Sequence, residues 1–396
     1  MFKKTLAGLA VAGLFSGAAM AADVNVYGVV DLGLMYNHTK TEALNTDKDA
    51  VVSTKDDSLV MKSGMNAGSR FGLRGSEDLG NGMTVSFKLE NGFDADSGKL
   101  GQDGRLFGRE ASLTLSGAFG QVSFGRMGGV AAAAGTYDYV FATADAFDGF
   151  DNDIGGLVQS GRYDNMITYQ TPEFAGMKVL AQYSFKNNTV ANDDDKALGD
   201  EGKSNTNRYA SLAAVGQYGN LNLVAAYELQ NFAREDGKVQ PDDQHTFYVG
   251  GNYDFGVTKV FGMAQHFAGA RSLNGFDVAR DTVENGKTDA SDGFRGWGAT
   301  IGAQTPVAGG LLTTAFYYVD ATVEGKITNS AYGLTARETV GEADYNYYGL
   351  AARYEYSLSK RTTAYAGAGY AKEKVENEGK MDADLVQAYV GLKHTF

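Results

Sequence analysis

The sequence predicts an all-β fold: sixteen antiparallel strands closed into a barrel that spans a membrane. Three observations lead there. Apolar and polar residues alternate with a period of two over stretches of about ten residues, the length of a tilted strand crossing a bilayer. Tight turns and long polar connections alternate along the chain. The 396 residues include 53 glycines, 23 tyrosines and 22 phenylalanines but only 3 prolines, with no amphipathic helical period. That is a composition of aromatic strands rather than of helices.

The N-terminus stands apart from this pattern. Lys3 and Lys4 give a basic start, residues 6–20 are apolar and small, and Ala19-Met20-Ala21 fits a small-x-small cleavage site. Residues 1–21 therefore read as a secretory signal peptide and 22–396 as one barrel domain. In an exported chain, the absence of cysteine rules out disulfides, thiol catalysis and cysteine metal sites. The formal charge of −13 becomes −15 once Lys3 and Lys4 leave with the leader, which argues against a nucleic-acid partner. Beyond residue 20 no apolar run approaches about 18 residues, so a helical membrane protein is excluded.

The strands follow in order. From Val24 to Tyr36 the even positions are apolar (Val24, Val26, Val30, Leu32, Leu34, Tyr36), while Asn25 and Asp31 fall between them. The same dyad runs through Leu221, Leu223, Ala225, Tyr227 and Leu229, and through Tyr348, Leu350, Ala352, Tyr354 and Tyr356. Stretches near 209–218 and 257–267 alternate poorly. Short turns are expected at 77–82, 117–121, 171–177, 219–220, 254–257, 305–310 and 357–361, with Pro172 and Pro306 inside them, where a missing N–H harms no ladder. Long polar connections are expected at 37–63, 92–108, 128–161, 187–206, 231–243, 268–292, 320–342 and 372–382. Seven short turns alternating with eight long loops require sixteen strands. This is the plan of outer-membrane barrels, with periplasmic turns on one rim and extracellular loops on the other. A soluble propeller or sandwich would need a second buried face and would not sort its loops by length.

The final strand adds a further mark. Val386, Ala388, Val390, Leu392 and Phe396 share one face. A terminal phenylalanine closing such a strand resembles the signal that barrel-assembly machinery reads, so Phe396 is the expected assembly contact.

Six stretches together, "VNVYGVVDLGL", "SRFGLRGSEDLGNGMTVSFKLENGF", "LTLSGAFGQVSFGR", "NMITYQTPEFAGMKV", "SLSKRTTAYAGAGYAK" and "QAYVGLKHTF", give the chain a family likeness. It resembles the general porins of the Gram-negative outer membrane, in particular the neisserial and betaproteobacterial type. The resemblance implies a homotrimer embedded in outer-membrane lipid, with small hydrophilic solutes and ions passing through each barrel. It also implies that the third loop, 128–161, folds inward and narrows the pore, bringing Asp138, Asp145, Asp148, Asp151 and Asp153 to the constriction.

Parity supplies the opposing wall. If Phe71 and Leu73 face lipid, Arg70 and Arg74 face the lumen, because an arginine on the lipid face near the midplane costs about 2–4 kcal/mol. The same rule turns Lys88, Glu90, Arg353 and Glu355 inward, and Arg162 with Asp164 if Ile167 and Tyr169 face out. Arg109 and Arg126 complete the basic wall. The resemblance places Arg109 there, whereas alternation from Leu113 and Leu115 turns Glu110 inward instead. Anion-preferring relatives carry an arginine where this chain has Asp151, and with an acidic loop and a negative chain the expectation is a weak cation preference.

Catalysis is not expected. His38, His245, His266 and His394 form no close pair, and neither Asp151-Asn152-Asp153 nor Asp193-Asp194-Asp195 completes a metal-binding pattern, so no cofactor and no metal are expected. Two alternatives keep the barrel: a channel selective for organic acids, amino acids or sugars, and a surface protein that uses the barrel as a stand for its loops. Tyr27 and Tyr389 face the lumen but do not make the aromatic track of a sugar channel.

Overall fold

The computed structural model describes residues 24–45, 50–149, 152, 154–190, 199–233, 242–274, 276–278, 293–329, 334–376 and 380–396. The signal-peptide assignment, Asp151 and Asp153 lie outside the described residues. The chain forms a closed sixteen-stranded antiparallel barrel. Strand β1 (Asn25–Asn45) pairs with the last strand, β19 (Lys380–Thr395), in a register that runs from Val29 opposite Thr395 to Ala43 opposite Met381. That pairing removes both sheet edges.

The second stave comes in two pieces, β2 (Ala50–Ser63) and β3 (Arg70–Gly80), both paired with β1. Residues 64–69 between them leave the ladder and carry Met65 to full burial. The remaining staves are β4 (Met83–Gly92), β5 (Glu110–Gly117), β6 (Gly120–Gly128), β7 (Arg162–Gln170), β8 (Met177–Ser184), β9 (Arg208–Tyr218), β10 (Leu221–Asn231), β11 (Gln244–Asp254) and β12 (Lys259–Ala270). After a two-stranded hairpin, β13 (Ser272–Leu273) and β14 (Phe276–Val278), come β15 (Phe294–Val307), β16 (Gly310–Asn329), β17 (Leu334–Ser357) and β18 (Thr362–Glu376).

The alternation read from sequence becomes a division of surfaces. Leu113, Phe124, Val249, Ile301, Leu350 and Val390 are exposed on the outside, with Ile301 at 61 %. Ser123, Thr168, Gln182, Thr246, Thr313 and Gln387 are buried on the inside. Large apolar groups outside and polar groups inside invert a water-soluble protein and suit a lipid surround with a wet lumen. The tight turns fall between successive strands as expected. At the first, Asn81 (φ 53°) and Gly82 (φ 74°) both take positive φ, as a two-residue hairpin demands.

One sequence expectation differs from the structure. Much of 37–63, 320–342 and 372–382, read as loop, is strand: β1 pairs with β2 up to Asn45 opposite Ala50, and β18 with β19 up to Glu376 opposite Lys380. These ladders carry charged and polar residues on their outward positions, so they lack an apolar outer face, and pairs such as Lys372–Asp384 (3.2 Å) decorate them instead. The poorly alternating stretches are also full strands, β9 and β12. Their inner positions Tyr209, Ala213, Phe261, Met263 and Phe267 are apolar because a loop packs on them from within the barrel.

Candidate pore constriction

That loop is the third, residues 129–161 between β6 and β7. It enters the lumen, makes one helical turn, α2 (Phe141–Ala144; α1, Gly101–Gly104, is a single turn in the second loop), and buries Val130, Val140, Phe141, Phe147 and Ile154 against the inner faces of β8 to β17. Apolar contact places it, and hydrogen bonds from the wall fix its height. Asn252 Nδ2 donates to the Thr143 carbonyl (2.6 Å), Gln304 Nε2 to that of Ala146 (2.7 Å), and the Tyr347 hydroxyl to that of Ile154 (2.5 Å). On the returning arm, Tyr248 donates to the Val158 carbonyl (3.2 Å), while buried Glu228 accepts from Ser160, Tyr209 and Tyr248. Asn152 Nδ2 reaches the Met65 carbonyl (2.9 Å), so the interruption of the second stave serves as a ledge for the loop.

The wall of β3 to β7 carries most of the expected cations. Glu90 on β4 is their hub: Arg109 Nε lies 2.6 Å from its Oε1, while Lys88 Nζ (3.7 Å) and Arg70 Nε (4.0 Å) lie near Oε2. Tyr27 donates to the same carboxylate (2.8 Å), and the Arg74 guanidinium stacks on the Tyr27 ring at 5.0 Å. Lys88 also pairs with Glu110 (2.9 Å) and touches Thr136 of the loop (3.0 Å). Arg109 immediately precedes β5, which lets both it and Glu110 join the cluster; the alternation rule applies only from Glu110 onward. Arg162 donates to the Ala133 carbonyl of the loop (3.0 Å).

Arg126 shows why its side was ambiguous. Val122 and Phe124 face outward, so strict parity would send Arg126 into lipid. The ladder between β6 and β7 shifts register between Gly125 and Met127, a bulge in which Asp164 and Asn165 of β7 together stand opposite Arg126. There Arg126 Nη1 meets Asp164 at 2.6 Å. Arg105, from the second loop, reaches Asp164 at 2.8 Å. Sequence reasoning missed Arg105 because the loop around it has no period from which to infer a direction.

The acids of the third loop play unequal parts. Asp145 is 2 % exposed and accepts from the Tyr317 hydroxyl (2.9 Å) and the Gly149 N–H (2.8 Å), holding the loop to β16. Asp138 accepts from the N–H groups of Ala134 (3.1 Å) and Phe141 (3.0 Å) at the start of α2. Burial, with the Asp148 charge beside it, pushes the Asp138 carboxyl well above the usual carboxylate range. Burial also raises Asp148, whereas its hydrogen bond with Asp138 and the nearby Arg70 charge hold it down. The two carboxyls therefore titrate as a pair, with Arg70 on the Asp148 side.

Arg353 on β17 lies over the Phe147 ring at 4.9 Å, with Glu355 3.5 Å from its Nε. Glu355 also meets Lys393 (3.2 Å) and accepts from Asn66 (2.6 Å) on the ledge. Phe396 stands apart at the closing seam, exchanging backbone hydrogen bonds with Gly28 at 3.1 Å in each direction. Among the described residues no group of three or more His, Asp or Glu side chains is placed to hold a metal.

Comparison with known proteins agrees with this geometry. The family model for Gram-negative porins matches residues 8–396. Over the full length of both chains, the sequence is 33 % identical to an outer membrane porin protein of Bordetella pertussis, and likewise 29 % identical to outer membrane porin protein 32 of Delftia acidovorans. It is also 25 % identical, again over both full lengths, to the major outer membrane protein P.IB of Neisseria gonorrhoeae. Among solved structures, an anion-selective porin from Comamonas acidovorans superposes with a TM-score of 0.61 at 23 % identity, covering 95 % of this chain and 100 % of that one. These relatives are passive channels rather than enzymes. A closed barrel that is apolar outside and wet inside, with a full-length match to the family model, places the chain in the Gram-negative porin family, as a channel of the outer membrane.

Proposed function

We propose that the chain is a general diffusion porin, assembled as a homotrimer, through which small hydrophilic solutes and ions pass passively. The observation that carries this reading is the confrontation of the third loop with the basic wall across the lumen, since opposed charges at a narrowing act as a filter for size and sign. The sign of the ion preference is the finer question. Five loop acids led to an expectation of weak cation preference, but Asp145 is tied to Tyr317, Asp138 is buried beside Asp148 with its carboxyl pushed well above the usual range, and Asp151 and Asp153 are not described. Across from them, among the described residues, Arg70, Arg74, Lys88, Arg105, Arg109, Arg126 and Arg162 gather around Glu90, Glu110 and Asp164. This local excess supports a weak anion preference at moderate salt.

The test is a planar-bilayer recording of the purified protein with a KCl gradient. A reversal potential displaced toward that of chloride is the expected result, and displacement toward potassium would overturn the sign. Ohmic, unsaturated currents support general diffusion. Saturation or block by an organic acid, amino acid or sugar would favour the substrate-selective alternative, and no conductance would favour the barrel as a stand for its loops.

A further inference from the structure

Above the constriction, the inner faces of the barrel differ sharply from one side to the other. On β16, Val319, Ala321 and Val323 share the parity of Tyr317, whose hydroxyl meets the third loop, so they point into the lumen. On β17, Ala343 and Tyr345 share the parity of Tyr347, which also meets that loop. These five are buried, as are Phe294 on β15 and Val375 on β18. An unobstructed aqueous mouth would leave such groups wet. Instead the β13–β14 hairpin of the sixth loop covers them.

The hairpin is placed by pairing and by packing. Strand β14 pairs with β16 above the end of β15, with Phe276 opposite Asn329 and Val278 opposite Ile327. Its Phe276 is 1 % exposed, and Leu273 on β13 is also buried. The Tyr345 ring receives two aromatic neighbours edge-on, Phe276 at 5.8 Å and Phe294 at 5.6 Å. A polar staple closes the arrangement: buried Glu373 accepts from Asn274 Nδ2 in the hairpin turn (2.5 Å) and from the Tyr345 hydroxyl (2.7 Å). Edge-to-face pairs of this kind add about 0.5–1.5 kcal/mol each beyond area burial.

We infer that this cluster is a second, apolar narrowing at the extracellular mouth, which steers the water path toward the basic wall and makes Phe276 and Tyr345 size-determining residues. It rests on the open channel proposed above. The cations of the basic wall lie on β3 to β7 and the loops between them, away from this cluster, so size and sign selection are separable: the mouth cluster limits bulk and the constriction limits charge.

The experiment compares full-length wild type with Phe276→Ser and, as a milder variant, Tyr345→Ala, in bilayers and in liposomes loaded for sugar swelling. Folding is checked by heat-modifiable migration on gels. Single-channel conductance is expected to rise on the order of 1.5-fold and uptake of trisaccharides to rise more than that of monosaccharides, with the reversal potential unchanged. Folded variants with wild-type conductance and wild-type sugar uptake would overturn the inference, as would a changed reversal potential accompanied by unchanged sugar uptake. Should Phe276→Ser fail to fold, Tyr345→Ala carries the same test. Absence of any wild-type current would instead remove the channel reading itself.

Discussion

At the scale of single residues, two positions carry sharp consequences. The first is the Asp138–Asp148 pair. Because the folded-state pKa of Asp138 is raised, the stability it contributes is complete below the ordinary carboxylate range, near pH 4, and is lost as pH rises through the raised value. In that window the pair gains negative charge beside Arg70. The reversal potential of the wild type should therefore shift toward cations as pH is raised above the ordinary carboxylate range. Asp148→Asn removes the neighbouring charge that raises Asp138, so its shift over the same range should be smaller. Equal shifts in the two proteins would show that the pair does not face the pore. The second position is Gly125, whose φ of 125° lies outside the reach of L side chains and where an added Cβ would stand 2.1 Å from the Ala111 carbonyl oxygen. Gly125→Ala should cost at least about 1–3 kcal/mol in denaturant unfolding from detergent. By flattening the bulge, it should also loosen the Arg126–Asp164 pair. Wild-type stability would mean that the bulge relaxes without cost.

At the scale of elements, the two faces of each strand set what can be changed. Ile301 lies mid-strand on β15 and faces outward, so Ile301→Arg should destabilise the folded barrel by about 2–4 kcal/mol in lipid. An effect near zero would move that face out of the hydrocarbon. The same two-sidedness decides what the sequence could reveal. Strands with lipid on one face and water on the other, such as β10, β17 and β19, were legible because each face imposes its own residue type. Strand β12 was read as a strand but alternates poorly, since Phe261, Met263 and Phe267 on its inner face belong to the same buried cluster as the third loop. The upper part of β1 failed in the opposite way: His38, Thr39, Lys40 and Thr41 rise beyond the apolar zone, where neither face needs to be greasy. In the site, Arg70, Lys88 and Glu90 followed from parity. Arg126 needed a bulge, Arg105 a loop path and Asn152 a ledge, and none of these leaves a periodic trace.

At the scale of the whole molecule, two charge distributions compete for the passing ion. The mature chain sums to −15 if the leader is removed, with much of the acid in the extracellular loops, while the described wall of the constriction is locally positive. Which one an ion senses depends on screening. At 0.15 M salt the Debye length is about 8 Å, so loop charges farther than that from the eyelet are largely hidden and the wall governs. At 0.01 M it grows to about 30 Å, a reach that brings the loop acids into the field at the pore. The preference for anions should therefore weaken on dilution and pass toward cations at the lowest salt, as read from reversal potentials at a fixed concentration ratio over decreasing mean concentration. Neutralising the wall by Arg70→Gln should lower the anion preference at high salt and leave the low-salt limit less affected. A preference independent of dilution would mean that the constriction alone sets selectivity, and that the acidic loops act on capture of solutes rather than on their passage.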